Sequence, residues 1–221
     1  MQPNQIRYIK NNSFMKKLFL LLCTTGFILT SCTSNPEGTK AEVADVTQVA
    51  EASGNDLKVD TTLSTVQWTG KKISTSHHGL IQIKSGQIHV QNGQITAGDF
   101  VLDMNTLINL DLPKDKAPKI EGHLKSEDFF HVEKYPEAKL EITSVDGTGI
   151  GIHKVSANLT IKDITKNITF DADVKNITDT TFEASADFNI KRADWGVTYP
   201  GMPDDLISDE INYKVNLVAK K

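Results

Sequence analysis

The sequence predicts an all-β domain of antiparallel strands, and three observations lead to this prediction. Apolar and polar residues alternate strictly through most of 154–190, which gives each strand one dry face and one wet face. The connections 163–167 and 176–180 are short enough to join neighbouring strands as an antiparallel meander. No helix-length segment separates the strands, which argues against a parallel sheet. About eight such strands either close into a barrel or stack as a sandwich.

The first 31 residues have the composition of an export signal. Met15 and two lysines precede an apolar run from Leu18 to Leu29, and small residues follow it, as in a secretory signal peptide. The run is shorter than the roughly 20 residues needed to span a membrane. Residues 29–32 (LTSC) resemble the bacterial lipobox, whose cysteine becomes the acylated first residue of a lipoprotein. The alternative is an ordinary signal peptide or an uncleaved anchor, and residues 1–14 have the appearance of an upstream translation start.

Acylation of Cys32, for example with palmitate, would anchor the protein in the cell envelope. Two or more acyl chains give stable membrane binding, whereas a single chain binds only weakly and reversibly. The lipoprotein resemblance implies the outer membrane, facing the periplasm. Residues 32–58 contain no aromatic side chain and are predicted to form a flexible tether. The barrel domain is expected over 59–221. Cys23 and Cys32 both precede it, so the domain has no disulfide or cysteine nucleophile.

The charge balance argues against a nucleic-acid partner. The chain has 24 basic and 28 acidic residues, and four of the basic residues lie in the first 31 positions, where there is no acidic residue. The remainder is therefore strongly acidic, whereas phosphate binding requires a basic surface.

The strands of the domain follow in order, each separated by turn or loop residues. Asn92-Gly93 predicts a type I′ hairpin turn, because both residues tolerate positive φ. Gly98-Asp99 breaks the alternation and predicts a bulge. The two prolines of 109–120 predict a loop, and 126–130 predicts a short helical turn. The eight predicted strands are 65–70, 81–90, 95–104, 138–142, 155–161, 168–174, 182–190 and 211–219.

Three segments resemble the YceI-like, polyisoprenoid-binding family: 122–145, 155–174 and 188–197. The resemblance extends from about residue 60 to residue 221. It implies an exported, lipocalin-like antiparallel barrel that holds an isoprenoid or fatty chain inside. Glu121-Gly122 stands where the family often has Arg-Asp, so no role of that pair carries over. The motif residues that match are His123, Leu124, Ser126, Asp128, Phe129, Phe130, Tyr135 and Pro136.

The apolar faces of the strands supply the candidate binding site. A lipid chain needs a long dry wall, because each buried methylene contributes about 0.8 kcal/mol. Small inward residues such as Ala172 and Ala186 favour open space, whereas a barrel filled by its own side chains, acting as an envelope interaction protein, is the alternative. The residues expected to line the interior are Trp68, Phe100, Leu102, Met104, Leu140, Ile142, Leu159, Ile161, Phe170, Ala172, Ala186, Phe188, Ile190, Val215 and Leu217.

The sequence predicts neither a metal site nor a catalytic centre. Six histidines, including the pair His77-His78, lack the spacing of zinc ligands. No segment resembles an activated nucleophile such as Gly-x-Ser-x-Gly. The loop from Asp194 to Asp209 is longer than a hairpin needs, which predicts a lid. The resulting hypothesis is a non-catalytic module that binds a lipid reversibly and has no cofactor besides it.

Overall fold

The computed structural model describes residues 34–221, so the predicted signal peptide and Cys32 lie outside the described residues. Within this range no helix is long and apolar enough to cross a membrane. The elements are β1 (Thr39–Lys40), β2 (Glu42–Ala44), β3 (Asn55–Val59), β4 (Thr65–Lys72), β5 (Ser76–Gln91), β6 (Gln94–Asn109), α1 (Ala117–Lys125), β7 (Glu137–Asp146), β8 (Gly151–Ile161), β9 (Ile164–Ile177), β10 (Thr181–Lys191), a 3₁₀ turn (Arg192–Trp195), β11 (Gly201–Met202) and β12 (Asp205–Lys220).

Eight strands close into an antiparallel barrel, in the order β4, β5, β6, β7, β8, β9, β10 and β12. β12 closes the ring by pairing with β4, where Trp68 lies opposite Tyr213. Alternation places apolar side chains inside, and buried clusters pack towards both ends of the barrel. The predicted all-β antiparallel barrel of about eight strands with one short helix is confirmed, and the sandwich alternative is wrong.

Local turn predictions met mixed outcomes. Asn92 and Gly93 have φ of 53° and 73°, as the predicted hairpin requires. The helix, however, begins at Ala117, inside the predicted loop, and 126–130 forms only turns after it. Pro118 was interpreted as a loop signal, but proline suits the first turn of a helix, where its missing N–H is not needed. The bulge expected at Gly98 instead falls at Thr96, because Ala97 pairs with His89 and Ile95 with Val90.

β3 and β4 together occupy one position of the barrel, between β12 and β5. Val59 of β3 lies opposite Ala219, and Leu57, which is fully buried, lies opposite Ile88. A turn at Asp60 separates the two strands, and the hydrogen bond from Lys220 holds the pKa of the Asp60 carboxyl well below its usual range. The barrel therefore begins at Asn55, before the predicted boundary at 59.

Residues 35–54, here called the N-terminal strap, cross the outside of the barrel from β12 to β5. The prediction of a flexible tether over 32–58 is wrong for this part, because groups along its length form hydrogen bonds with the barrel and two short stretches pair with its strands. The strap runs obliquely, and its contacts along the way are Asn35–Ser208 at 2.7 Å, Thr47–Asn158 at 2.7 and 3.2 Å, Ala50–Ile142 at 3.0 Å and Ser53–Thr96 at 2.7 and 3.3 Å.

The strap also fills a seam between β9 and β10. These strands pair with each other only from Phe182 to Ala186 on β10. Beyond that point β1 pairs with β10 at Phe188, and β2 pairs with β9 from Asn167 to Thr169. Ala41, between β1 and β2, is 3% exposed and joins the core. The strap thus supplies backbone partners to two strand edges that the barrel leaves open.

Candidate functional site

The barrel encloses an apolar cavity of about 160 Å³, here called the lower cavity. Thirteen of the fifteen side chains expected to line the interior do line it. They come from six strands, because residues of one parity on each strand point inward. The thirteen are Phe100, Leu102, Met104, Leu140, Ile142, Leu159, Ile161, Phe170, Ala172, Ala186, Phe188, Val215 and Leu217.

The other two predicted residues lie elsewhere. Trp68 lines a second space nearer one end of the barrel, and its indole N–H donates to the carbonyl of Ile108 at 3.2 Å. Ile190 is 1% exposed and packs in the core without lining either space. Both residues face the barrel interior, as alternation predicts, but neither lines the lower cavity.

Several residues that line the lower cavity are absent from the fifteen expected. Phe182 and Ala184 share the parity of Ala186, so alternation alone was sufficient to find them. Phe130 lies on the turn after α1, where no periodicity exists to reveal it. The remaining missed apolar residues of the lower cavity are Val66, Ile81, Ile83, Ile88, Ile95, Ala138, Val155 and Tyr213.

A larger space of about 740 Å³, the upper chamber, lies at the end of the barrel formed by α1, the β4–β5 turn and the loop 196–204. We call this end the mouth. Ile81, Phe130 and Tyr213 line both spaces, so the two adjoin. Burial raises the pKa of the Tyr213 phenol, which keeps its hydroxyl neutral at the junction.

The upper chamber is far more charged than the lower cavity, where Lys139 is the one charged residue among those that line it. Five basic residues line it, against the acidic residues Asp115, Asp205 and Glu210. Lys72 pairs with Asp205, and the pKa of the Asp205 carboxyl is lowered chiefly by this contact. The other four basic residues are Lys71, Lys116, Lys119 and Arg192. The two spaces together are amphiphilic, because the lower cavity has an apolar lining and the upper chamber has a charged one.

Among the basic residues of the upper chamber, Arg192 has a structural role. It is 4% exposed, and its guanidinium donates to the carbonyls of Ser208 at 2.8 Å and Val197 at 2.9 Å. Desolvation lowers its pKa, but these carbonyls satisfy its donors. Its bonds fix the start of the loop over the mouth to β12.

An aromatic cluster connects that loop to α1. The ring of His123 lies 4.9 Å from the rings of Phe129 and Tyr199, and Phe129 and Tyr199 are 5.4 Å apart. The hydroxyl of Ser126 donates to the carbonyl of His123 at 2.8 Å, which ends the helix and turns the chain towards Phe129. All three rings line the upper chamber.

Several histidines lie beside carboxylates, and the neighbouring His77 and His78 share Asp111, with Nδ1 atoms 2.8 and 3.8 Å from its oxygens. His77 and His89 each place Nδ1 near a carboxylate, Asp111 at 2.8 Å and Asp56 at 2.7 Å. Across residues 34–221 no group of three or more His, Cys, Asp or Glu side chains is arranged to hold a metal ion.

The sequence model of the YceI-like domain matches residues 57–219, about three quarters of the chain. The chain belongs to the YceI-like family. The matched part contains the barrel strands from β4 onward, both spaces and the motif residues around His123 and Phe129, whereas the strap lies outside it.

Curated relatives and solved structures agree with this assignment. The chain is 33% identical over 97 residues to a UPF0312 protein of Pseudomonas putida F1, covering 43% of this chain and 47% of that protein. It thus spans about half the length of that relative. BcnA of Burkholderia cenocepacia superposes with a TM-score of 0.61 at 20% identity, over 73% of this chain and 99% of BcnA. A polyisoprenoid binding domain from Saccharophagus degradans superposes with a TM-score of 0.57 at 16% identity, over 78% of this chain and 99% of that domain. These two similarities concern the fold.

This YceI-like barrel departs from the pattern expected of its family at Glu121-Gly122. The Glu121 carboxylate accepts a hydrogen bond from the backbone N–H of Asn109 at 2.8 Å, which joins α1 to the end of β6. Gly122 is exposed, and a side chain added there would meet open space. In this chain the acidic residue therefore holds the helix that roofs the upper chamber.

Proposed function

We propose that the chain binds a long-chain isoprenoid or fatty-acid-like lipid, with the tail in the lower cavity and the polar head in the upper chamber. The observation that carries this proposal is the apolar lining of the lower cavity by inward-facing side chains of the barrel. A related fold in the Saccharophagus degradans domain, described as polyisoprenoid binding, supports the ligand class. Binding is reversible burial, with no bond made or broken and no catalytic residue.

The sizes of the two spaces support the placement of tail and head. The lower cavity, at about 160 Å³, is smaller than typical ligand pockets of roughly 300–1,000 Å³, whereas the upper chamber, at about 740 Å³, falls within that range. A chain that fills the lower cavity must therefore extend past Tyr213 and Phe130 into the upper chamber. Ten buried methylenes would contribute roughly 8 kcal/mol before ordering costs.

The alternative, a barrel filled by its own side chains that acts as an interaction protein, is disfavoured by the open lower cavity. Ala172, Ala184 and Ala186 line this cavity, and their small side chains leave the space that larger residues would fill. The two functions predict different contents for the purified protein.

The first test is extraction of the purified native chain with organic solvent, followed by mass spectrometry. We expect a stoichiometric isoprenoid or fatty-acyl lipid in the extract, or uptake of a fluorescent fatty acid by the emptied protein. Ala186→Trp should block uptake, because Ala186 lines the cavity. Glu183→Trp, on the exposed face of the same strand, is the matched control. An empty extract with no uptake, or equal uptake by both variants, would contradict the carrier function.

We further propose that an acylated Cys32 anchors the protein in the cell envelope, in the outer membrane and facing the periplasm. The lipobox-like sequence at 29–32 supports this proposal. Cys32→Ala should remove the protein from the membrane fraction after a salt wash, whereas Cys23→Ala should leave it there. Membrane retention of Cys32→Ala would exclude the acyl anchor.

A further inference from the structure

Exposed apolar side chains occupy three neighbouring chain tips at the mouth. Ile73 on the β4–β5 turn, Leu110 after β6 and Met202 on β11 are 53%, 51% and 61% exposed. The first and third tips are joined, because the Ser74 N–H and hydroxyl both donate to Asp205, each at 2.9 Å. Large apolar side chains grouped at fixed tips mark contact with an apolar partner rather than with water.

Lysines surround these tips. Lys71, Lys116 and Lys119 line the upper chamber and form no ion pair with any of the described residues. Lys116 and Lys119 stand at the N-terminal end of α1, whose first turn has no acidic residue. Lysine is unfavourable at this positive end of the helix dipole, where acidic residues are preferred. Five basic residues against three acidic ones line the upper chamber, so the mouth is net positive on an otherwise acidic barrel, which suits an anionic partner.

The strap brings the N-terminal end of the described chain to the same end of the barrel. Asn35 Oδ1 accepts a hydrogen bond from the Ser208 hydroxyl at 2.7 Å. Ser208 follows Ile207, which lines the upper chamber, and its carbonyl binds Arg192. Cys32 is three residues before Asn35, a reach of roughly 10 Å at most. If Cys32 carries the anchor proposed above, this short connection keeps Asn35 near the bilayer.

We propose that the mouth face, formed by Ile73, Leu110 and Met202 with Lys71, Lys116 and Lys119, docks on an anionic lipid bilayer. The apolar tips enter the headgroup region and the lysines contact lipid phosphates. The upper chamber then opens towards the membrane, so a lipid passes between bilayer and barrel without crossing water. The closeness of Asn35 to the bilayer rests on the proposed anchor, whereas the apolar tips and the lysines are independent of it.

The test compares labels at opposite ends of the barrel. Met202→Cys and Ile150→Cys are each labelled with an environment-sensitive fluorophore on the full chain, reconstituted in vesicles of phosphatidylethanolamine and phosphatidylglycerol with a lipid-borne quencher. Ile150 is the stringent control, since it is 74% exposed on the β7–β8 hairpin, which contacts the β5–β6 hairpin at the end opposite α1. We expect strong quenching at position 202 and none at position 150. Equal quenching, or more at 150, overturns the proposal.

A second comparison tests the lysines. The triple variant Lys71→Glu, Lys116→Glu, Lys119→Glu should lose most of the quenching at position 202, because each lysine near an anionic surface changes partitioning roughly fivefold. The control triple variant Lys58→Glu, Lys154→Glu, Lys175→Glu makes the same charge change on the barrel wall, where it also breaks the exposed ion pairs of Lys154 with Asp171 and Lys175 with Asp173, and should keep the quenching at position 202. Unchanged quenching in the first triple variant overturns the charge component. Neither readout depends on a lipid in the cavity, so failure of the carrier function leaves this result unaffected.

Discussion

Asn158 shows how one side chain converts a polar segment into part of the fold. Its amide N–H donates to the carbonyl of Thr47 at 2.7 Å, and its amide oxygen accepts from the N–H of Thr47 at 3.2 Å. The side chain thus pairs with the backbone as a neighbouring strand would. It is 3% exposed, and Asn167 donates to the same oxygen at 3.1 Å.

We expect Asn158→Ala to loosen the strap, because it leaves the backbone groups of Thr47 without partners. The cost should be about 1–3 kcal/mol in unfolding free energy. Hydrogen exchange at the amides of Thr47 and Ala50 should accelerate. Asn176→Ala is the control, since Asn176 bonds only to Thr181 across its own hairpin. Unchanged exchange at Thr47 in Asn158→Ala would show that the strap is held by other contacts.

Alternation could predict the cavity wall but not the residues that hold the strap. Phe170, Ala172 and Ala186 were found because parity fixes the face of a strand. Asn158 and Asn167 are also on strands, but alternation assigns a polar strand residue to the face that contacts water. Their partner Thr47 is 111 residues away from Asn158, and no local pattern in the sequence connects them.

At the scale of elements, the loop after β10 has the position of the predicted lid. Trp195 is fully buried, with its indole N–H donating to the carbonyl of Leu159 at 3.0 Å, so the start of the loop is fixed. Tyr199 and Met202, farther along, line the upper chamber. The predicted lid is therefore confined to the later part of the loop, and its role as a lid stays a prediction.

Tyr199→Ala should accelerate ligand release, because it removes the ring that contacts His123 and Phe129. We expect an increase in the off-rate of a fluorescent fatty acid of several-fold, measured by stopped-flow displacement, since aromatic pairs contribute about 0.5–1.5 kcal/mol each. Thr198→Ala, at the exposed neighbouring position, should leave the off-rate unchanged. An off-rate in Tyr199→Ala equal to that of the unmodified chain would argue against a lid.

The position of α1 was the element least accessible to sequence reasoning. The helix has nine residues, it carries a proline in its first turn, and Ala117 is its one buried residue. So short a helix is stabilised by packing over the barrel end and by Glu121 rather than by its own periodicity. The alternating strands, by contrast, carry their burial pattern in the chain itself.

For the molecule as a whole, ligand binding should appear as thermal stability. A lipid that binds only the folded barrel adds about 2.7 kcal/mol when its free concentration is about 100 times Kd. For a domain of this size that corresponds to a rise in Tm of about 5–10 °C, measured by calorimetry. Ala186→Trp should show no rise, because its cavity is filled. Equal Tm shifts in both proteins would mean that the lipid binds outside the barrel.

The closed barrel was predictable because eight alternating segments with short connections leave few other architectures. The closure of the seam between β9 and β10 could not be predicted, because β1 and β2 are only two and three residues long and show no alternation. Their own residues are exposed, with only Ala41 between them buried, and their contribution is backbone pairing, which does not depend on side-chain type. Composition alone therefore indicated a tether where the chain forms strands.

The seam between β9 and β10 bears on how the protein can be shortened. A version starting at residue 60, where family resemblance begins, would lack β1, β2 and β3, and its unpaired amides and carbonyls along Asn167–Thr169 and at Phe188 would be free to recruit a second molecule. Such a truncation would tend to polymerise through strand addition, whereas the longer chain shields these edges with its own N-terminal residues.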